Sequence, residues 1–319
     1  MRHLLACLAA CLALDATAAF AQPYPSRPIT IVVPFAAGSG TDSITRIIGQ
    51  HLSVALGQSV VVENKVGASG VLAATYVARA APDGYTLLMA TNSTHSANPY
   101  LFKNLSYDPV KDFAPVARAG SYVFMLVVNK DIPAKTLPEL VAYAKANPGK
   151  LTYASGNTTG IVAGETLKSK AGIDILHVPY KSTPPAINDV LGGRVSMMFI
   201  DLAPALEHVR AGNFRALAVT TRERSALLPD LPSLAEAGIP GYDVTSYAAL
   251  FAPAGTPKEI VDRLNAEVQK IIANPEAKAR IAITGFDAFS GPPETLAAFI
   301  QSELVNWGKL IKDAGIEAQ

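Results

Sequence analysis

Five short stretches of this chain gather hydrogen-bond donors with no catalytic partner beside them. The first is Gly38-Ser39-Gly40-Thr41-Asp42, which follows Phe35 in the segment Pro34-Phe35-Ala36-Ala37. Glycines there leave backbone N–H groups uncovered at the start of a helix, whose partial positive charge attracts an anion such as a carboxylate. Ser39 and Thr41 add hydroxyl donors, while Asp42 by itself reads as a helix cap. Thr91-Asn92 follow a later strand and open the polar run Thr91-Asn92-Ser93-Thr94-His95. Ser155-Gly156-Asn157-Thr158-Thr159-Gly160 is a donor nest without apolar content. In Val178-Pro179-Tyr180-Lys181-Ser182-Thr183-Pro184, Tyr180 can line a cleft and Lys181 can balance an acid. Asp201 ends the run Met197-Met198-Phe199-Ile200, at the usual ligand edge of an α/β sheet. Taken singly, Lys181 is an ordinary surface lysine and Asp201 a cap. Together, the stretches make a stronger signal for an anion site than any one of them does alone.

Reaction chemistry is thin by comparison. Gly38-Ser39-Gly40 imitates a dinucleotide loop, with Glu63 near the place of a ribose-binding acid, but the third glycine of that pattern falls on Ser43. There is no G-x-S-x-G elbow and no H-E-x-x-H motif. His51 and His208 fall in helical segments and His177 ends a strand. His95 could face a cleft, yet no carboxylate at a recognisable spacing supports it as a base. No active site, metal site or cofactor is expected.

The elements that must position these loops alternate between strand and helix. Ile29–Val33, Ser59–Val62 and Tyr85–Ala90 read as strands, with helices at about 42–56 and 69–80 between them. Residues 92–118 break the rhythm with Pro99, Pro109 and Pro115. A second α/β set then runs from Val123 to about 220, and Val244–Phe251 reads as a strand returning to the first set. Three helices, at about 257–273, 275–283 and 293–314, close the chain. Open, mostly parallel sheets are expected. Two crossings, near 120–125 and 242–250, predict a two-lobed α/β clamshell with lobe 1 at 22–122 plus 246–319 and lobe 2 at 123–245.

Composition narrows the class further. Half of the 319 residues are hydrophobic and the formal net charge is +1, so the chain can build a core but carries no basic field for nucleic acid or acidic lipid. Met1-Arg2-His3, the apolar run Leu4–Leu14 and the small-x-small sequence Ala19-Phe20-Ala21 make residues 1–21 a secretory signal cleaved after Ala21. A competing reading takes Leu8-Ala9-Ala10-Cys11 as a lipobox. Removing Arg2 and Asp15 leaves the charge at +1, and Cys7 and Cys11 leave with the signal, so the mature chain has no thiol.

The loops resemble the Bug-type (TctC-like) periplasmic receptors of tripartite tricarboxylate transporters. The resemblance rests on Tyr24-Pro25, Pro28-Ile29, Pro34–Asp42, Val62-Glu63-Asn64-Lys65 with Gly67 and Gly70, Pro82-Asp83-Gly84-Tyr85-Thr86-Leu87, and Val178-Pro179-Tyr180-Lys181. It implies a periplasmic binding protein that closes on a small carboxylate solute and serves membrane subunits, with no nucleic acid partner. Matched by position, the carboxylate contacts are Phe35, Ser39, Gly40, Thr41 and Asp42, together with Tyr180, Lys181 and Ser182. The loop at Ser155, Asn157, Thr158 and Thr159, and Asp201, would select the far end of the solute. Ser39 and Ser182 stand where the family usually carries glycine, so the identity of the solute does not transfer. An exported enzyme using His95, Asp201 and Lys181, or a receptor feeding a sensor, are the competing readings.

Overall fold

The computed structural model describes residues 24–225 and 227–318. The expected signal, its cleavage point and both cysteines lie outside the described residues. β1 (Ile29–Val33) is buried along most of its length, as a strand covered on both faces must be. It pairs in parallel with β2 (Val60–Asn64) and β3 (Thr86–Thr91). α1 (Gly40–Leu56) connects β1 to β2, buries Ile44, Ile48, Leu52 and Leu56 at helical spacing, and stops at Gly57 in the left-handed conformation. α2 (Val71–Ala78) leads to β3, after which a π-turn at Ser93–Ala97 runs into the short α3 (Asn98–Leu101).

β4 (Phe113–Tyr122) passes through Val123 directly into β5 (Phe124–Asn129) of a second sheet. That sheet adds α4 (Leu137–Ala146), β6 (Thr152–Ser155), α5 (Thr158–Ala171), β7 (Leu176–Pro179), α6 (Thr183–Leu191), β8 (Met197–Asp201), α7 (Leu202–Arg210) and β9 (Phe214–Val219). The chain then returns to the first sheet through β10 (Ser246–Pro253), α8 (Lys258–Ala273), α9 (Pro275–Ile283), β11 (Phe286–Ala288) and α10 (Pro293–Asp313). The first sheet has the order β11-β4-β10-β3-β1-β2 and the second β7-β6-β8-β5-β9. Each sheet with its helices forms one lobe of a clamshell.

The expectation of mostly parallel sheets is corrected. Among the described strands, parallel pairs are β1–β2, β1–β3, β6–β7 and β6–β8, and the other strand pairs are antiparallel. The two crossings are the reason: a strand leaving a lobe and one returning lie side by side, so β4 opposes β10 and β5 opposes β9. Residues 113–118, expected to be irregular, belong to β4. Pro115 fits because it sits beside a register shift opposite Phe251, where a ladder donor is not needed.

Two features tie the lobes together. Thr220 N–H donates to Phe124 O at 2.9 Å and its hydroxyl to Val244 O at 2.7 Å, which joins the outgoing and returning chains. α10 spans both cores. Its Leu296 and Ile300 pack with Tyr247 and Phe251 of the first lobe, and its Trp307 and Ile311 with Leu126, Tyr153 and Tyr242 of the second. Trp307 is 1% exposed. Replacing it by alanine should cost about 3–5 kcal/mol of stability by equilibrium urea unfolding. A loss under about 1 kcal/mol would show that α10 is not a structural strut.

Candidate functional site

The loop after β1 is braced from within. Ser39 is the N-cap of α1, its hydroxyl accepting from Asp42 N–H at 3.3 Å. The Asp42 carboxylate accepts from Gly38 N–H at 3.0 Å, Arg46 Nε at 3.0 Å and Asn64 Nδ2 at 2.9 Å. Burial pushes this carboxyl up, but those three donors outweigh burial and hold it below the usual range. Asn64 also donates to Phe35 O at 2.9 Å. The charge of Asp42 is thereby spent on holding the loop, and the cap expected at Asp42 falls on Ser39 instead.

The ends of β1, β3 and β8 meet beside the crossings. Phe35, Thr41, Thr91, Asn92 and Ser93 from the first lobe face Asn157, Thr159 and Asp201 from the second, with Tyr122, Phe124 and Ser246 at the back. The space among them is about 10 Å³, room for roughly one water, so the lobes are closed. Bonds across the cleft hold this arrangement. Asn92 Nδ2 donates to Thr159 Oγ1 at 2.8 Å, Ala36 N–H donates to Ser182 Oγ at 3.0 Å, and Thr158 Oγ1 meets Asn98 Oδ1 at 3.5 Å. The Ser246 hydroxyl donates to the other side of Asn92, at Oδ1. A Cβ at Gly40 would overlap Asp201 Oδ2, so only glycine allows the lobes to approach this closely.

Three buried polar atoms in this cleft have no hydrogen-bond partner: Thr91 Oγ1, Tyr122 Oη and Asp201 Oδ2. Such groups are rare in folded proteins and each costs about 1–3 kcal/mol. None of the residues lining the cleft is Lys, Arg or His. Asp201 is 4% exposed, and burial pushes its carboxyl up to about 6 against the pull of its own N–H and that of Gly40. Burial also pushes the Tyr122 hydroxyl up, which keeps it a donor.

The remaining residues singled out in the sequence either spend their polar atoms on other bonds or lie outside the cleft. Ser155 Oγ pairs with His177 Nε2 at 2.6 Å, beneath the cleft. Asn157 lines the cleft but spends its Oδ1 capping α5, on Gly160 N–H at 2.9 Å. The Tyr180 hydroxyl is turned outward and donates to Asp189 at 2.5 Å, while Lys181 is exposed. Of that loop, only Ser182 reaches across. His95 does not face the cleft. It is fully buried, with ring centroids 4.6 Å from Phe113 and 4.2 Å from Phe251, and desolvation lowers its pKa to about 3. Glu63 pairs with Lys65 at 2.6 Å. Ser93, Tyr122, Phe124 and Ser246 were not anticipated as site residues, although Ser93 lies in the polar run after β3 and the crossings near 120–125 and 242–250 contain the other three. Among the described residues, no His, Cys, Asp or Glu cluster could hold a metal ion, and no helix is long and apolar enough to cross a membrane.

Two α/β lobes closing on a donor-lined cleft define a solute-binding protein of the periplasmic type. The family described as "Tripartite tricarboxylate transporter family receptor" matches residues 44–316, and the chain belongs to it. It is similar to the R. palustris structure described as Rpa4515 with adipate, with TM-score 0.91 and 36% identity, covering 93% of this chain and all of that one. The periplasmic binding protein BugD gives TM-score 0.88 and 36% identity, covering 93% of this chain and 100% of its own. MatC from Rhodopseudomonas palustris with bound malate gives TM-score 0.83 and 35% identity, covering 90% of this chain and 100% of its own. The protein is therefore a solute-binding receptor of this family and not an enzyme, and the family serves tripartite transporters.

Asp201 makes a pH-dependent contribution to stability. Folded protein holds its proton to about pH 6, whereas the unfolded chain releases it near the ordinary value of 3.8. The stabilisation is complete below the unfolded value and is lost as pH rises through about 6. Asn at 201 does not titrate. The stability of wild type relative to Asp201→Asn should thus fall by about 2–3 kcal/mol between about pH 4 and 7 in urea titrations. A constant difference across that range would contradict the buried, unpaired carboxyl.

Proposed function

We propose that the protein, exported with its signal removed after Ala21, captures a small carboxylate solute and delivers it to the membrane subunits of a tripartite tricarboxylate-type transporter. The observation that carries this reading is the pair of unpartnered hydroxyls, Thr91 Oγ1 and Tyr122 Oη, beside Thr41 in the first turn of α1. Neutral donors at a helix start suit an anion, and the relatives described with adipate and malate bind carboxylates. Ser39, Gly40, Thr41 and Phe35 frame one carboxylate, with Asp42 bracing their loop. Thr91, Asn92, Asn157, Thr159, Ser182 and Asp201 complete the enclosure, backed by Ser155 and Thr158. Tyr180 and Lys181 act at the rim. Segments 24–122 with 246–318, and 123–245, move as the two lobes. A solute enters only after the lobes part, because the cleft as it stands has room for about one water, and they close again around the solute. It touches both lobes only after closure, and so shifts the balance toward the closed form.

The experiment is thermal unfolding of residues 22–319, unfolded and refolded beforehand, against mono-, di- and tricarboxylic acids and their amides. A ligand at about 100 times its Kd adds about 2.7 kcal/mol, which raises the midpoint by several degrees. A shift with one acid and none with its amide supports the proposal. A flat response to every acid overturns it.

Two substitutions locate the carboxylate. Asp is itself a good N-cap, so Ser39→Asp should keep the helix while its charge repels the solute, weakening binding more than tenfold by calorimetry. Lys181→Ala should weaken it less than tenfold. A loss of more than about 3 kcal/mol would make Lys181 a main charged partner.

A further inference from the structure

The cleft holds one ionisable carboxyl and no cation to neutralise it. Asp201 reaches in from the end of β8, buried, with Oδ2 unpartnered and pressed against Gly40 at the start of α1. The groups facing it are uncharged: Thr41 from α1, Thr91 and Asn92 from the end of β3, Tyr122 from β4, Thr159 from α5 and Ser246 from β10. Asp42, the other acid on α1, is turned away onto Arg46, Asn64 and Gly38 N–H. On α7, which Asp201 precedes, the ionisable residues Glu207, His208 and Arg210 lie in the last turn, away from the cleft end.

A carboxylate solute at the N-terminus of α1 would meet this second carboxyl at close range, with no cation between them. Two carboxylates sharing a site cannot both stay ionised, and one takes up a proton. We propose that solute capture is proton-linked through Asp201: the carboxyl takes one proton from solvent as the lobes close and then donates it as a hydrogen bond to the solute's carboxylate. No other bond forms or breaks. Asp201 thereby turns from a repelling group into a donor, and the receptor releases its cargo more readily as pH rises. The raised affinity of Asp201 for protons in the closed cleft agrees with this role.

This inference rests on the carboxylate reading. Its test is calorimetric titration of the mature chain with adipate and with malate, in buffers of differing ionisation enthalpy, between about pH 7 and 8.5. Both acids are fully ionised there. Wild type should take up close to one proton per solute, and its affinity should fall about tenfold per pH unit. Asp201→Asn, whose amide imitates the protonated acid, should bind without proton uptake and with a flat pH profile. The buffer series on wild type needs no variant, so a misfolded variant does not decide the matter. Binding without proton uptake, or an unchanged slope in folded Asp201→Asn, overturns the inference and leaves the carboxylate reading standing. Failure of these acids and of the whole thermal panel to bind overturns both.

Discussion

A buried polar cleft without a cation is the constraint on which the rest of this structure depends. Lysine or arginine in the cleft would make capture easy, but a charge buried there without its ligand would be costly. On the function proposed above, this cleft would hold its anion with the start of α1 and with hydroxyls and amides from both lobes. Each donor is weak alone, so they succeed only when several converge on the same few ångströms. Gly40 permits the approach, Asp42 keeps the first loop rigid by giving its charge to Arg46, Asn64 and Gly38, and Asn92 bridges Thr159 and Ser246.

Convergence in turn requires lobes that close along one path. Two chain crossings join the lobes, which suits a hinge. Thr220 fastens those crossings to each other, and α10 plants one end in each core. The same crossings explain why each sheet mixes parallel and antiparallel pairs, since the strands that carry the chain between lobes must run against each other. Tyr122 and Phe124 flank the outgoing crossing and Ser246 opens the returning strand, so the hinge also forms the back wall of the site.

Much of this was legible in the sequence. The strand–helix alternation, the two crossings and the donor-rich loops follow from local signals, because glycine, serine, threonine and asparagine at strand ends have few other uses. β4 was hidden because Pro109 and Pro115 mimic a loop, and only the register shift opposite Phe251 makes Pro115 acceptable in a strand. Side-chain direction was not legible either. Tyr180 and Lys181 sit in a loop that reaches the cleft through Ser182 alone, and His95 is turned into an aromatic core by the π-turn at Ser93–Ala97. Those outcomes depend on a rotation of the backbone that composition does not encode. Asp201 was visible as a residue, but its lack of a partner appears only once the two lobes are assembled.

The most direct measurement is the distance between the lobes in solution. The described chain contains no cysteine, so spin labels can be placed at Val54→Cys and Leu176→Cys, both exposed and on opposite lobes. Electron–electron double resonance should show a broad distribution without ligand. It should collapse to one short distance with the acid that stabilises the protein most, and stay broad with that acid's amide. A distribution that the acid leaves unchanged would contradict capture by closure of neutral donors around a carboxylate.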